Sequence, residues 1–155
     1  MVIEAQAPTE GAVRAALAEV PDPELPVVSV VDLGMVERVD VEDGRIAVDL
    51  LATFIGCPAL ELIEASVAER LGSFGVPVDV AFTRRTAWTS DRISADGLAR
   101  LKAAGIAPPL DPRAVRCPWC DSARVVMDSA FGPTQCRALF YCRDCRNPFE
   151  ALKPV

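Results

Sequence analysis

At 155 residues, about half of them hydrophobic, the chain is long enough for one ordinary domain or for a domain of about 100 residues with a small appendix. It contains no histidine, which excludes a Ser-His-Asp triad, a Cys-His nucleophile pair and any two-histidine or Glu-x-x-His iron site built from this chain alone. The net charge of −6 is unevenly spread: residues 1–107 carry 17 acidic against 9 basic side chains and residues 108–155 carry 5 against 7, so the larger part is a poor surface for nucleic acid.

The opening, MVIEAQAPTEGAVRAAL, has neither a basic leader nor a long apolar run, and no stretch of eighteen apolar residues occurs; a cytoplasmic protein without a membrane span is expected. Thr9 is placed to cap a first helix, along which Val13, Leu17 and Val20 share a face. Prolines 21, 23 and 26 stop it. In GMVERVDVEDGRIAVDLL, Val39 and Val41, then Ile46, Val48 and Leu50, alternate with polar residues around a turn at EDG, the pattern of a β-hairpin. CPALELIEASVAERLG sets Leu60, Ile63, Val67 and Leu71 on one face of a second helix, with Pro58 at its first position and Gly72 at its end. VPVDVAF reads as a third strand, and SADGLARLKAAGI as a third helix capped by Ser94 and ended by Gly105, with Ile106 folding back on Leu101.

These elements predict an α+β fold: a small sheet with an antiparallel hairpin, packed by helices, over residues 9–107. Residues 108–116, with prolines 108, 109 and 112, read as a stiff linker, and residues 117–155 as a separate module. Neither a Walker A loop nor a G-x-G-x-x-G turn is present, so nucleotide chemistry has no visible seat.

Five of the six cysteines lie in the tail module. Cys117-x-x-Cys120 and Cys142-x-x-Cys145 have the spacing of two knuckles that together present four thiolates to a tetrahedral ion, with ARVVMDS and RALFYC as strands between them. The expected reading is a zinc ribbon with a closed, structural Zn2+, whose binding supplies much of the module's folding free energy. Four thiolates suit an iron–sulfur centre equally well by their chemistry. Cys136 is left over, either a strand residue packed inward or an alternative ligand of that site.

Cys57 stands alone, between strand and helix. A thiol at a helix N-cap faces unpaired N–H groups and the positive end of the helix dipole, so a lowered pKa and a reactive thiolate are expected; the plain alternative is a small residue that merely fits. With no histidine to serve as base, such a thiol suits metal handling or thiol exchange better than hydrolysis. Asp22, Glu24 and Asp32 fall in loops bordering the sheet, where they either bind metal or a partner's basic residues, or do ordinary turn chemistry.

The segments DPELPVVSVVDLGMV, GCPALE and AWTSDRISADGLARLKAAGI together resemble the iron–sulfur cluster assembly domain family that includes SufT and relatives of the cytosolic assembly targeting factors. The tail RCPWC…FGPTQCRALFYCRDCRNPFEALK is similar to the ribbon of a family encoded with the phenylacetyl-CoA epoxidase subunits of bacterial phenylacetate degradation. The resemblance covers about residues 10 to 153. It places the family's D-P-E motif on Asp22, Pro23 and Glu24, its D-L-G on Asp32, Leu33 and Gly34, and its reactive cysteine on Cys57, with Thr53 four residues earlier; Ile55 stands where many relatives have proline.

What the resemblance implies is a maturation factor that helps iron–sulfur or di-iron centres into the epoxidase complex. Cys57 would be the iron or cluster ligand, possession of a transient iron–sulfur cluster would follow, and the partners would be the reductase or oxygenase subunits and iron–sulfur assembly proteins. A non-catalytic structural or regulatory subunit of the same oxygenase is the alternative. Stand-alone catalysis is not expected in either case.

Overall fold

The structure, a computed structural model, describes residues 7–108, 111 and 113–154. Part of the expected proline-rich linker, Pro109, Leu110 and Pro112, lies outside the described residues.

Helix α1 (Glu10–Leu17) opens as its sequence dictates, with the Thr9 side chain accepting a hydrogen bond from the Ala12 N–H, and it buries Val13, Ala16 and Leu17. Strands β1 (Val36–Glu42) and β2 (Arg45–Leu50) form the expected antiparallel hairpin. Its two turn residues, Asp43 and Gly44, both have positive φ (50° and 69°), which is what a two-residue turn between right-twisted strands requires. The alternation in β2 is sharp: Ile46, Val48 and Leu50 are buried, whereas Ala47 and Asp49 are half-exposed.

Helix α2 (Leu60–Gly72) then carries the chain back so that β3 (Val78–Phe82) pairs parallel to β2, giving the sheet order β1-β2-β3. Parallel neighbours need such a crossover because a tight turn reverses direction. α2 starts at Leu60, with Ala59 as its N-cap, so Pro58 precedes the helix instead of opening it. The expectation at its other end also shifts: Gly72 is the last helical residue, and the left-handed glycine is Gly75, at φ 71°.

Helix α3 (Ala95–Ala103) is capped by Ser94, whose hydroxyl accepts from the Gly97 N–H. Gly105, at φ 75°, ends it, and a β-carbon there would sit 2.2 Å from the ring of Trp119. The position is therefore glycine for two reasons, one conformational and one a close approach by the tail.

Beyond Gly105 the chain does more than the sequence predicts. Ile106 joins the first domain's core, where Leu101 is also buried, and Ile106–Ala107 also forms β4, a short strand paired parallel to β7 (Pro148–Leu152). With β5 (Val125–Ser129) and β6 (Arg137–Cys142) it makes a second sheet, in the order β4-β7-β6-β5. β5 and β6 occupy the two expected segments; β7 is not among the expected strands because RNPFEAL is short and flanked by turn residues.

Two cores result. The larger gathers α1, α2, the first sheet and the 20–35 loop, and extends to Ile106 and Leu152 from the tail sheet. The smaller lies within the tail around Cys117, Cys142 and the stacked rings of Phe140 and Phe149, 5.6 Å apart. The tail is thus seated on the first domain rather than held only by a tether, and this seating brings a ribbon residue to the site described next.

Candidate metal centres

The four tail cysteines converge. Cys117 Sγ lies 3.6 Å from Cys145 Sγ, Cys120 Sγ lies 3.6 Å from Cys142 Sγ, and all four sulfurs are within 4.8 Å of one another. With metal–sulfur bonds of about 2.3 Å, the edge of a tetrahedral tetrathiolate is about 3.8 Å, so the donor set fits one ion of that geometry. Local backbone makes the fit. In each knuckle the residue after the second cysteine is left-handed: Asp121 has φ 61° and Arg146 has φ 59°. The Asp121 N–H returns to the Cys117 carbonyl at 2.8 Å, and the Asn147 side-chain amide donates to the Cys145 carbonyl at 3.1 Å. Hydrogen bonding from Asn147 is the first cause that holds the Cys145 thiol down at about 7, poised to ionise as a metal ligand must. Cys117 and Cys142 are buried, and all four ligand positions are taken by protein, so an ion here supplies structure and offers no position to a substrate.

Cys136 is not with those four. Its thiol accompanies Cys57 instead, although 79 positions separate the two in sequence. Both sulfurs approach the same atom, Glu24 Oε2: Cys57 Sγ at 3.7 Å and Cys136 Sγ at 3.6 Å. Three separate pieces of chain are needed to do this.

The first is the 20–35 loop. Asp22 is 6 % exposed, and its Oδ1 accepts from the N–H groups of Glu24 and Leu25, both at 2.9 Å, while its own N–H donates to the Val28 carbonyl. This turn, with Pro23 fixing the backbone inside it, presents the Glu24 carboxylate. Burial is the main influence on the Asp22 carboxyl and pushes its pKa above the usual carboxylate range, against the pull of the two backbone donors.

The second piece is the loop from β2 to α2. Cys57 lies there between Gly56, at φ 87°, and Pro58, two residues before the helix cap. The expectation of a depressed pKa fails. Partial burial, opposed by the Ala59 N–H and reinforced by Glu24, Cys136 and Asp22, raises the Cys57 thiol instead. A helix dipole falls off within one turn, so the nearby carboxylates and the loss of water outweigh it. Cys57 is therefore held as a thiol and not as a free thiolate nucleophile.

The third piece is the start of β6 in the ribbon. Arg137 donates to the Glu24 carbonyl and pairs with Glu150, and Lys153 N donates to the Cys136 carbonyl at 2.8 Å. Thr134 Oγ1 lies 3.2 Å from Cys136 Sγ. The cavity enclosed by the three pieces has a volume of about 30 Å³, and Asp22, Glu24, Thr53, Cys57 and Cys136 are among its lining residues.

Asp32 is not brought to this cavity. Its carboxylate accepts from Ser29 N at 3.0 Å and from Ser94 Oγ at 3.4 Å, and pairs with Arg100 at 3.3 Å, tying the loop to the start of α3. Of the neighbouring motif residues, Leu33 does reach the cavity wall; its carbonyl accepts from Trp88 Nε1 at 2.7 Å. Gly34 turns at φ 66° where a β-carbon would meet the Arg92 carbonyl at 2.2 Å. Trp88, Arg137 and Lys153 were not expected at the site. No local pattern marks them, because each is contributed by an element distant in sequence.

An α+β domain of the iron–sulfur cluster assembly type joined to a zinc ribbon is the class these two centres and their fold define. Residues 10–81 match the family described as iron-sulfur cluster assembly protein, and residues 104–153 match the PaaD zinc beta ribbon domain. A protein of Escherichia coli K12, provisionally named as one of the subunits of 1,2-phenylacetyl-CoA epoxidase, is 38 % identical over 149 residues, spanning 91 % of this chain and 90 % of its own. This chain belongs to the PaaD family. Among solved structures, a domain of unknown function, DUF59, from Bacillus anthracis is 29 % identical with a TM-score of 0.55, covering 59 % of this chain and 90 % of its own. A conserved hypothetical protein from Thermotoga maritima is 27 % identical with a TM-score of 0.50, covering 61 % and 94 %. Among the described residues no helix is long and apolar enough to cross a membrane.

Proposed function

We propose that the protein is a cytoplasmic accessory factor for assembly of iron–sulfur or di-iron centres in a phenylacetyl-CoA epoxidase complex, with Cys57 ligating the iron or cluster in transit. The observation that carries this reading is the Cys57 thiol itself, half-buried against a cavity beside Glu24, with no histidine anywhere in the chain to make it a hydrolytic nucleophile. The match to an iron-sulfur cluster assembly family over residues 10–81 and the name of the Escherichia coli relative support it.

In this reading Asp22 folds the turn that presents Glu24, Thr53 lines the cavity and Asp32 anchors the loop. Cys117, Cys120, Cys142 and Cys145 hold a Zn2+ that fixes the ribbon, and the ribbon contributes to docking on the reductase or oxygenase component or on iron–sulfur assembly proteins. The chain performs no turnover of its own. Substituting Cys57→Ser should leave folding and zinc content unchanged while the epoxidase, matured in its presence, loses metal occupancy and activity. Full metal occupancy of the epoxidase in cells carrying only Cys57→Ser would defeat the reading. Purification of the chain with the oxygenase at a fixed ratio, with activity indifferent to Cys57, would instead make it a structural component.

A further inference from the structure

The ribbon does more than hold a structural ion. We infer that Cys136 of the ribbon, together with Cys57 and Glu24 of the first domain, forms a second, exchangeable site for a single thiophilic divalent ion at the seam between the two modules. This rests on the reading of Cys57 as a metal ligand and extends it to a ligand set.

Three observations converge on the trio. First, one carboxylate oxygen receives both thiols, at 3.7 and 3.6 Å. A tetrahedral ion bound at about 2.3 Å from sulfur and about 2.1 Å from oxygen has sulfur–oxygen edges of about 3.6 Å, so two edges of such a polyhedron are already drawn. The two sulfurs themselves stand more than 4.8 Å apart, wider than the about 3.8 Å sulfur–sulfur edge of a tetrahedral site, so an ion bound here must draw Cys57 and Cys136 closer together. Second, the cavity volume, about 30 Å³, exceeds the ~10–15 Å³ that a water-sized guest requires, so a single ion can be accommodated. Third, the position of Cys136 is actively held. Arg137, its neighbour, bonds the Glu24 carbonyl, and Lys153 N bonds the Cys136 carbonyl, so ribbon and loop share a frame.

The chemistry balances without a redox partner. As the ion binds, two S–H bonds break, two metal–sulfur bonds form, and both protons leave to solvent; Glu24 adds a carboxylate oxygen and the metal keeps its oxidation state. Two thiolates and a carboxylate on a divalent ion leave a net charge of −1. They also leave a fourth position open, through which a recipient's ligand can enter while protons return to the thiols. Two thiolates with one carboxylate suit ferrous iron, and the open position distinguishes this site from the closed tail.

The test is anaerobic titration of the zinc-loaded full chain with Co2+, whose thiolate charge-transfer absorption grows with the number of bound sulfurs. Wild type should take up one Co2+ beyond its zinc. Cys136→Ser should weaken that uptake at least about tenfold and lower the charge-transfer intensity; Glu24→Gln should weaken it with the intensity kept. Cys136→Ser binding like wild type, while Cys57→Ser loses binding, overturns the two-thiol site and leaves the Cys57 reading standing. Unchanged binding in Cys57→Ser as well overturns the site outright, and the epoxidase occupancy experiment then judges the functional reading separately. Should Cys136→Ser fail to fold, phenylarsine oxide decides on the wild-type, zinc-loaded chain. One bridging adduct, with loss of both thiols and release of one water, supports the site, and its absence refutes it.

Discussion

The two sulfur centres of this protein differ in how their ligands are brought together. In the tail, four thiols come from two short turns, each fixed by a left-handed residue immediately after its second cysteine, and the sulfurs already sit at tetrahedral spacing. At the seam, two thiols and a carboxylate come from residues 24, 57 and 136, three segments with no local relation, and they meet only because the second sheet is packed against the first domain's core. A set of ligands made by local turns can be closed and permanent. A set made by tertiary packing can be opened by a modest shift at the seam, which is the property a transfer site needs.

The largest effect expected is from breaking the tail centre. Cys142 is fully buried, and Cys142→Ser should abolish zinc retention and unfold the ribbon, since structural zinc contributes about 10–16 kcal/mol of apparent binding free energy to such modules. Metal analysis and amide exchange would show protection lost over β5 to β7 and kept in the first domain; full protection in the metal-free variant would refute the claim. Gly105→Ala strikes the seam. It combines a left-handed backbone with a clash against Trp119, so a loss of about 2–4 kcal/mol in chemical denaturation is expected.

Arg137→Ala removes the bond to the Glu24 carbonyl and the pair with Glu150, and should cost about 1–3 kcal/mol. It should also speed alkylation of Cys57 and Cys136 together while the zinc-bound tail thiols stay protected, a pattern that mass spectrometry of a labelling time course would resolve. The smallest effect concerns Asp22. Its carboxyl takes up a proton more readily in the folded protein than in the unfolded chain, because burial raises its pKa above 3.8. Its contribution to stability is therefore fully present below that pH and is lost as pH rises through the folded value. Asp22→Asn keeps an oxygen for the two backbone donors and removes the charge. Stability at neutral pH should change by less than about 1 kcal/mol, and the acid-side slope of urea midpoints against pH should flatten.

How much of this was legible in the sequence follows the same division. The tail ligands could be read from spacing because a knuckle is a local object. The caps at Thr9 and Ser94 and the Asp43–Gly44 turn were equally local and are found where expected. Cys57 stood out by its isolation, but its setting did not: it lies two positions before the helix cap, and partial burial, reinforced by neighbouring acidic groups, reverses the expected shift of its thiol. Asp32 and Glu24 look alike in a linear string, yet one ties a loop to α3 and the other faces the thiols. Cys136 could be read only as surplus to a ribbon, since the carboxylate it meets lies 112 positions earlier.

The two-residue strand β4 carries a practical lesson for anyone wishing to divide the molecule. Severing the polypeptide at the prolines that follow it would leave Ile106 and Ala107 on one fragment and their hydrogen-bonding neighbour β7 on the other, exposing a bare sheet margin on the ribbon and a gap beneath Leu152. The halves would then report on damaged edges as much as on their own chemistry, so the natural unit for dissecting this protein is a point substitution in the intact polypeptide.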